Sequence, residues 1–145
     1  YDELTAGNDD GAHHLLMAVL TLVQQFRAAA ASTAADANVF AQRIKDYIDR
    51  HFAEEFSLQQ MADALHVSPY HLSHVCKETT GYSPLQYVLR RRIGEAQTLL
   101  ITTDLPVTRI AAQVGYDNPS HFNAQFAKAV GMAPRTFRRE YVYHK

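Results

Sequence analysis

An internal repeat of about fifty residues is the feature that most limits how this chain can fold. Five residue pairs are separated by 50 positions, and four pairs just upstream are separated by 49. The pairs are Leu72/Phe122, Cys76/Phe126, Gly81/Gly131, Pro84/Pro134, Tyr87/Phe137, Leu58/Val107, Met61/Ile110, Ala62/Ala111 and Leu65/Val114. The pattern predicts two copies of one supersecondary unit, with one residue inserted in the second copy.

The apolar spacing is helical throughout, and no stretch alternates as a strand does. Helix starts are indicated by a capping side chain followed by proline, and helix ends by glycine. These signals are Ser68-Pro69, Ser83-Pro84, Asn118-Pro119, Gly81, Gly115 and Gly131. We predict helices near 12–30, 38–52, 57–65, 68–80, 83–102, 106–114 and 118–130, a last turn or two from Pro134, and a looser Ala/Ser/Thr stretch near 31–37.

Each copy has the layout of a helix-turn-helix, which is a short helix, a tight turn and a second helix. The turn holds His66 to Ser68 in the first copy and Gly115 to Asn118 in the second. The helix near 83–102 joins the copies. The predicted fold is therefore all-α, with two helix-turn-helix subdomains joined by a long linker helix and preceded by an apolar N-terminal helix.

The two copies contain a series of specific motifs between Val39 and Tyr141. The motifs of the first half are Ser57-Leu-x-x-Met-Ala-x-x-Leu, Ser68-Pro-x-x-Leu, Gly81-Tyr-Ser-Pro-x-x-Tyr and Arg92-Ile-x-x-Ala-x-x-Leu-Leu. The second half adds Val107-x-x-Ile-Ala-x-x-Val-Gly-Tyr, Ser120-x-Phe-x-x-x-Phe and Gly131-Met-Ala-Pro-x-x-Phe-Arg. With these motifs the segment resembles the C-terminal DNA-binding domain of the AraC/XylS family of bacterial transcription regulators. Two departures stand out, Ala124 where relatives often carry a long side chain and Cys76 where an aromatic residue is usual.

The resemblance implies a sequence-specific DNA-binding regulator whose two second helices enter successive major grooves of double-stranded DNA. RNA polymerase is a further implied partner, and a small-molecule effector would act only through an upstream domain. Residues 1–37 would then be the C-terminal helix of that effector and dimerisation domain plus a linker. Residues 38–145 would form the DNA-binding domain, with units 38–82 and 103–141 around the linker helix 83–102. Some members of the family lack the upstream domain and act as monomers.

The charge is unevenly distributed along the chain, although the total is only −1. Residues 1–38 carry −4, whereas the segment from Ser68 onward carries +5 and is where a phosphate-binding surface is expected. The single cysteine, the acidic start and the absence of a long apolar run favour a cytoplasmic protein without a membrane partner. The longest nearly apolar run, Leu15 to Val23, has nine residues.

The candidate base-reading residues are the polar side chains on the outward faces of the two second helices. They are Tyr70, Ser73 and His74 in the first copy and Ser120, His121 and Asn123 in the second. Asn, Ser and His side chains can hydrogen-bond to base edges in the major groove, and Asn123 to adenine would be the most discriminating pair. The alternative interpretation is a solvated polar helix face.

Basic side chains near these helices are candidate phosphate ligands, which set affinity and position but carry no base information. They are Lys77, Arg90, Arg91, Lys128, Arg135, Arg138 and Arg139. Arg92 matches the family motif beside the apolar face of the linker helix. For that residue a structural role in tying the helix to a subdomain is at least as well supported.

Other classes of function have little support in the sequence. His66, His71 and His74 are close together, but no carboxylate or cysteine joins them at ligand spacing, so no metal site and no cofactor are predicted. No phosphate loop or nucleophile–base arrangement indicates an enzyme. The alternative function is a helical protein-interaction module that has lost DNA binding. The apolar helix near 12–30 should pack against an upstream domain or form a homodimer.

Overall fold

The computed structural model describes residues 6–142, with side chains from Gly11 onward, and this range is all-helical. The helices are α1 Ala6–His51, α2 Leu58–Ala64, α3 Pro69–Thr80, α4 Pro84–Thr102, α5 Val107–Gln113, α6 Pro119–Val130 and α7 Pro134–Val142. The predicted fold class is confirmed. The first residues of the predicted segment 1–37 and the end of 38–145 lie outside the described range.

The N-terminal region differs from the sequence prediction of two helices separated by a looser stretch. A single helix, α1, runs through residues 31–37 without interruption. This stretch contains four alanines and neither glycine nor proline, so it has a high helix propensity. The Thr33 hydroxyl donates a hydrogen bond to the Ala29 carbonyl at 2.9 Å, which also keeps this polar side chain compatible with the helix.

The described structure divides into two units between Phe40 and Ala41. In the first unit every described side chain from Gly11 to Val39 is exposed. By length and composition alone α1 is long and apolar enough to cross a membrane, because an 18-residue window of it has a mean hydropathy of 1.4. The nine-residue run identified in the sequence underestimated this helix, since it left out the alanines that follow.

In the second unit, residues 41–145, the helices begin and end at the capping, proline and glycine residues that the sequence indicated. Ser68 caps α3 and Asn118 caps α6, each accepting a hydrogen bond from a backbone N–H of the first turn. Ser83 and Gln86 form a reciprocal capping box at the start of α4. Helices α3 and α6 both end at a left-handed glycine, Gly81 and Gly131. Both second helices therefore have fixed and equivalent boundaries.

The repeat extends further upstream than the sequence matches indicated. Residues 41, 44 and 48 of α1 and residues 93, 96 and 100 of α4 are all buried, and each pair lies 52 positions apart. Each copy is thus a three-helix unit that starts with the end of α1 or with α4. Helix α4 also contacts α3 of the first copy, besides α5, α6 and α7 of the second. The linker helix is therefore a structural part of both subdomains.

Candidate nucleic-acid interface

Helix α3 presents Tyr70 and His74 on its outward face, opposite the buried Leu72 and Cys76. The rings of Tyr70 and His74 lie nearly parallel, with centroids 6.2 Å apart, and Tyr70 is 82% exposed. His74 Nε2 is 3.2 Å from a carboxylate oxygen of Glu78. Ser73 lies half-buried at the flank of this face. Glu78 was absent from the sequence candidates, although its i, i+4 spacing from His74 was a usable signal.

Helix α6 presents Ser120, His121, Asn123 and Ala124 to solvent, opposite the buried Phe122 and Phe126. The His121 ring meets the Tyr116 ring edge to face, with centroids 5.6 Å apart. His121 Nε2 also lies 3.5 Å from the amide nitrogen of Gln125. These two contacts limit the orientations of His121, whereas Asn123 and Ser120 stand at the exposed surface. All six candidate base-reading residues therefore lie on α3 or α6, three on each helix.

Tyr116 supports α6 from the turn before it and was not identified from the sequence. It is buried, and its ring contacts Phe122 as well as His121. Burial raises the pKa of the Tyr116 hydroxyl above its ordinary value, and the nearby Arg92 guanidinium opposes this shift. The Gly-Tyr pair in the motif was the available signal, but its position under His121 depends on tertiary packing.

Arg138 occupies a structural position that differs from the phosphate-binding role predicted for it. Its Nε donates to the Leu100 carbonyl at 3.0 Å, Nη1 to the Leu105 carbonyl at 2.7 Å and Nη2 to the Thr103 carbonyl at 3.1 Å. Leu100 lies in the last turn of α4, and Thr103 and Leu105 lie just after the helix. Their carbonyls therefore have no N–H of a following helical turn to accept from. The guanidinium thus caps the C-terminal end of α4, and its contacts with three carbonyls give Arg138 a structural role.

Arg91 and Arg90 are also engaged within the protein. Arg91 Nε donates to Asp49 at 2.9 Å and Nη1 donates to Glu95 at 3.1 Å, while its guanidinium lies over the Phe52 ring. Two carboxylate partners neutralise this charge, so Arg91 is poorly suited to bind a phosphate. Arg90 lies over the Tyr82 ring at 4.4 Å from the centroid but remains exposed.

The remaining basic candidates are exposed side chains on α7 and at the ends of α3 and α6, the two helices predicted to read DNA bases and called the reading helices below. Lys77 is on α3 and Lys128 is on α6, each in the last turn of its helix. Arg135 and Arg139 line an open groove together with the start of α5. All four are exposed, so they stay candidate phosphate ligands.

Arg92 joins the two copies, as the structural interpretation of this residue anticipated. It is only 9% exposed and donates to the carbonyls of Phe52 and Glu54 at 2.6 Å each. Its Nη1 donates to the Gly115 carbonyl in the turn of the second copy at 3.3 Å. Burial lowers the pKa of Arg92, while Tyr116 and Asp117 raise it. One side chain therefore links α4 to loops of both subdomains.

His74 of the first copy lies beside a single carboxylate, that of Glu78. Among the residues that the structure describes, no group of three or more His, Cys, Asp or Glu side chains is arranged to hold a metal ion. Cys76, which the sequence placed in the core, is fully buried.

A model of the helix-turn-helix domain matches residues 61–140. The arabinose operon regulatory protein of Salmonella typhimurium is 31% identical over 140 residues, which cover 93% of this chain and 50% of that protein. The chain belongs to the AraC/XylS family. A second relative, the bifunctional transcriptional activator/DNA repair enzyme AdaA of Bacillus subtilis, is 35% identical over 96 residues.

The match to AdaA covers 66% of this chain and 46% of AdaA, and the shared part is the helix-turn-helix region. The chain thus spans half or less of the length of these two relatives. Family membership indicates a transcription regulator, as for the arabinose protein.

Two solved structures show the same AraC-type fold. The C-terminal domain of AraT, a response regulator from Geobacillus stearothermophilus, has a TM-score of 0.67 and 36% identity, covering 70% of this chain and 84% of that one. The DNA-binding domain of AdpA, a global transcriptional factor solved with a target DNA, has a TM-score of 0.68 and 25% identity. That match covers 72% of this chain and 95% of the AdpA domain.

Proposed function

We propose that this AraC/XylS member binds double-stranded DNA sequence-specifically and regulates transcription, with α3 and α6 reading successive major grooves. The observation that carries the proposal is the equivalence of the two helices. Each is the second helix of a repeated unit, has the same capped start and glycine end, and exposes polar side chains. The solved complex of the AdpA DNA-binding domain with a target DNA supports DNA binding by this fold.

Base reading is tested by His74→Ala and Asn123→Ala, one substitution on each helix. Each variant should relax the preference at one or two base pairs, with a loss of about 1–3 kcal/mol at the cognate base. The measurement is a binding titration against a selected site and against all single-base variants of it. Gln42→Ala is the matched control, because Gln42 is an exposed amide on α1 outside both reading helices.

Equal losses on cognate and random DNA would contradict base reading by that side chain. If the unsubstituted protein binds no DNA in a selection from random duplexes, the protein-interaction module becomes the correct function.

We propose that the apolar side chains of α1 form a homodimer contact. Leu15, Val19, Leu22 and Phe26 follow one another at helical spacing, and each is at least half exposed, with Phe26 at 79%. An apolar stripe of this width is unstable in water unless it is covered. Two such stripes facing each other would bury equivalent apolar surfaces, as in a two-helix contact.

The dimer is tested by sedimentation of the protein and of Leu22→Asp. The substitution places a charge in the stripe and should convert dimer to monomer while the helical content stays the same. Gln24→Asp, on the opposite side of α1, is the control and should leave the dimer intact. A monomeric unsubstituted protein at high concentration would contradict the homodimer, and partition into phospholipid vesicles would assign the stripe to a membrane.

The remaining parts of the proposed function concern the longer protein. The relatives extend well beyond the matched region, so an upstream domain that binds a small-molecule effector is consistent with their length. We further propose RNA polymerase as a partner at the promoter and the cytoplasm as the location. Transcription from a reporter promoter in the presence and absence of the selected site tests the regulatory role.

A further inference from the structure

The two reading helices have the same backbone but different side chains at equivalent positions. At the separation of 50 residues, Tyr70 corresponds to Ser120, His74 to Ala124 and Lys77 to Ala127. Three long side chains of α3 are thus replaced by small ones on α6, whereas Glu78 corresponds to Lys128 and His71 to His121. Ala124 is exposed and Ala127 is half-buried, so both methyl groups reach the surface of α6.

Small side chains change what a helix can recognise in the major groove. Guanine and cytosine present hydrogen-bonding edges that require a polar side chain, and guanine is most often read by arginine or lysine. The only lysine or arginine in α6 is Lys128, near its C-terminal end, while major-groove readers use the N-terminal part of the helix. Thymine alone presents a methyl group, which packs well against an alanine side chain.

Asn123 lies beside Ala124 on the same exposed surface. An asparagine amide matches the N6 and N7 edge of adenine with two hydrogen bonds. One amide and two methyl groups on adjacent turns are complementary to adenine and to thymine. Contacts with Tyr116 and Gln125 limit the orientations of His121, and Asn123 and Ala124 are both exposed.

From this arrangement we infer that α6 selects an A·T-rich box, with Asn123 paired to adenine and Ala124 and Ala127 packed on thymine methyl groups. The inference rests on the proposed DNA-binding function and adds its specificity. Helix α3, with Tyr70, His74 and Lys77, reads its own box mainly through polar and charged groups. The two DNA boxes are therefore expected to differ in their content of A·T base pairs as well as in their base order.

The test removes the thymine methyl without changing the Watson–Crick edge. A site is first selected from random duplexes, and its second box is assigned as the positions where Asn123→Ala relaxes the preference. Each thymine of that box is then replaced by uracil and binding is titrated. We expect binding about fourfold weaker at a contacted position, the value for one buried methyl group of about 0.8 kcal/mol. Uracil in the box read by α3 is the control and should have no effect.

The partner side of the contact is tested with Ala124→Gly and Ala124→Arg. The ratio of thymine to uracil affinity should fall to one in Ala124→Gly at the position that Ala124 contacts, and a ratio within one protein is independent of any change in folding stability. Ala124→Arg should shift the selected base at that position towards guanine. A G·C-rich second box, or uracil binding as tightly as thymine throughout it, would overturn the inference while DNA binding stands. Failure to bind any duplex would overturn the proposed function as well.

Discussion

Adjacent arginines in this protein have different roles because their surroundings differ. Arg138 and Arg139 are neighbours on α7, yet Arg138 is half-buried against the carbonyls that end α4, whereas Arg139 is exposed. A guanidinium bonded to three carbonyls stabilises the fold and has few donors left for a phosphate. The pair therefore allows a structural arginine to be compared with a neighbouring arginine that is predicted to bind phosphate.

Arg138→Ala should lower the free energy of unfolding by about 2–4 kcal/mol, because three carbonyls lose a charged donor. Arg139→Ala should leave stability unchanged within about 0.5 kcal/mol. It should instead reduce the slope of log affinity against log salt by about one. Urea unfolding and salt-dependent titration measure the two effects. Reversed roles for the pair would contradict the assignment.

Three weakly acidic side chains, those of Cys76, Tyr87 and Tyr116, make stability sensitive to alkaline pH. Burial raises the pKa of the Cys76 thiol, with the Thr80 hydroxyl lowering it, and burial also raises the pKa of Tyr87 and Tyr116. A raised pKa in the folded state means that the stabilisation is fully present below the ordinary pKa of the group. It is lost as the pH rises through the folded value.

The urea midpoint should therefore begin to fall above about pH 8.5, the ordinary thiol pKa, and continue through the phenol range near pH 10. Cys76→Ala removes the first of these groups, so its decline should begin only in the phenol range. The same onset in both proteins would show that the buried thiol makes no contribution.

The turns of the two helix-turn-helix units both contain a residue with a positive φ, but the residue type differs. His66 in the first turn and Gly115 in the second lie 49 positions apart, and both have positive φ, 57° and 98°. A Cβ at Gly115 would lie 2.8 Å from the Ala53 carbonyl oxygen, a contact that backbone atoms cannot relieve cheaply. His66 carries a side chain in a left-handed conformation that glycine adopts without strain.

Gly115→Ala should destabilise the second helix-turn-helix copy by at least about 2 kcal/mol, because of the positive φ and the contact with Ala53. His66→Gly should be neutral to stabilising by about 0.5–1 kcal/mol, because relief of strain exceeds the added entropy of the unfolded chain. Thermal unfolding of both variants provides the measurement. A loss at His66→Gly as large as that at Gly115→Ala would contradict the geometric explanation.

The linker helix α4 sets the distance between the two reading helices. Its 19 residues are about 28 Å long at 1.5 Å per residue, comparable to one turn of DNA at about 34 Å. Its residues are buried in both subdomains, and Arg92 bonds it to loops of both. A stiff spacer anchored at both ends allows little adjustment of that distance.

We expect one chain to read two boxes whose centres are about 10 base pairs apart on the same face of the duplex. Inserting five base pairs between the boxes should turn one of them away and reduce the affinity to that of a single box. Inserting ten restores the face but doubles the distance, so binding should stay weak. Titration of the three duplexes measures this. Full recovery with ten added pairs would mean that the two units are flexibly tethered.

Local sequence signals were sufficient to predict the helices after α1, the caps of α3, α4 and α6, and the two copies of the repeat. The Ser-Pro and Asn-Pro starts and the glycine ends act within a few residues, so their effect is readable in the chain. The same spacing assigned the six candidate reading residues to α3 and α6, where five are exposed and Ser73 is half-buried. The continuity of α1 differs from the prediction because the four alanines among residues 31–37 favour the helix more than the serine, threonine and aspartate beside them disfavour it.

The partners of the arginines could not be read from the chain. The carbonyls that Arg92 and Arg138 bind lie between 23 and 40 residues away along the chain. Every residue carries the same backbone carbonyl, so the sequence does not indicate which of them an arginine will bind. Folding determines which of them end a helix unpaired beside a guanidinium. Whether a basic side chain stays exposed for a phosphate or becomes part of the core framework is therefore a property of the packed molecule.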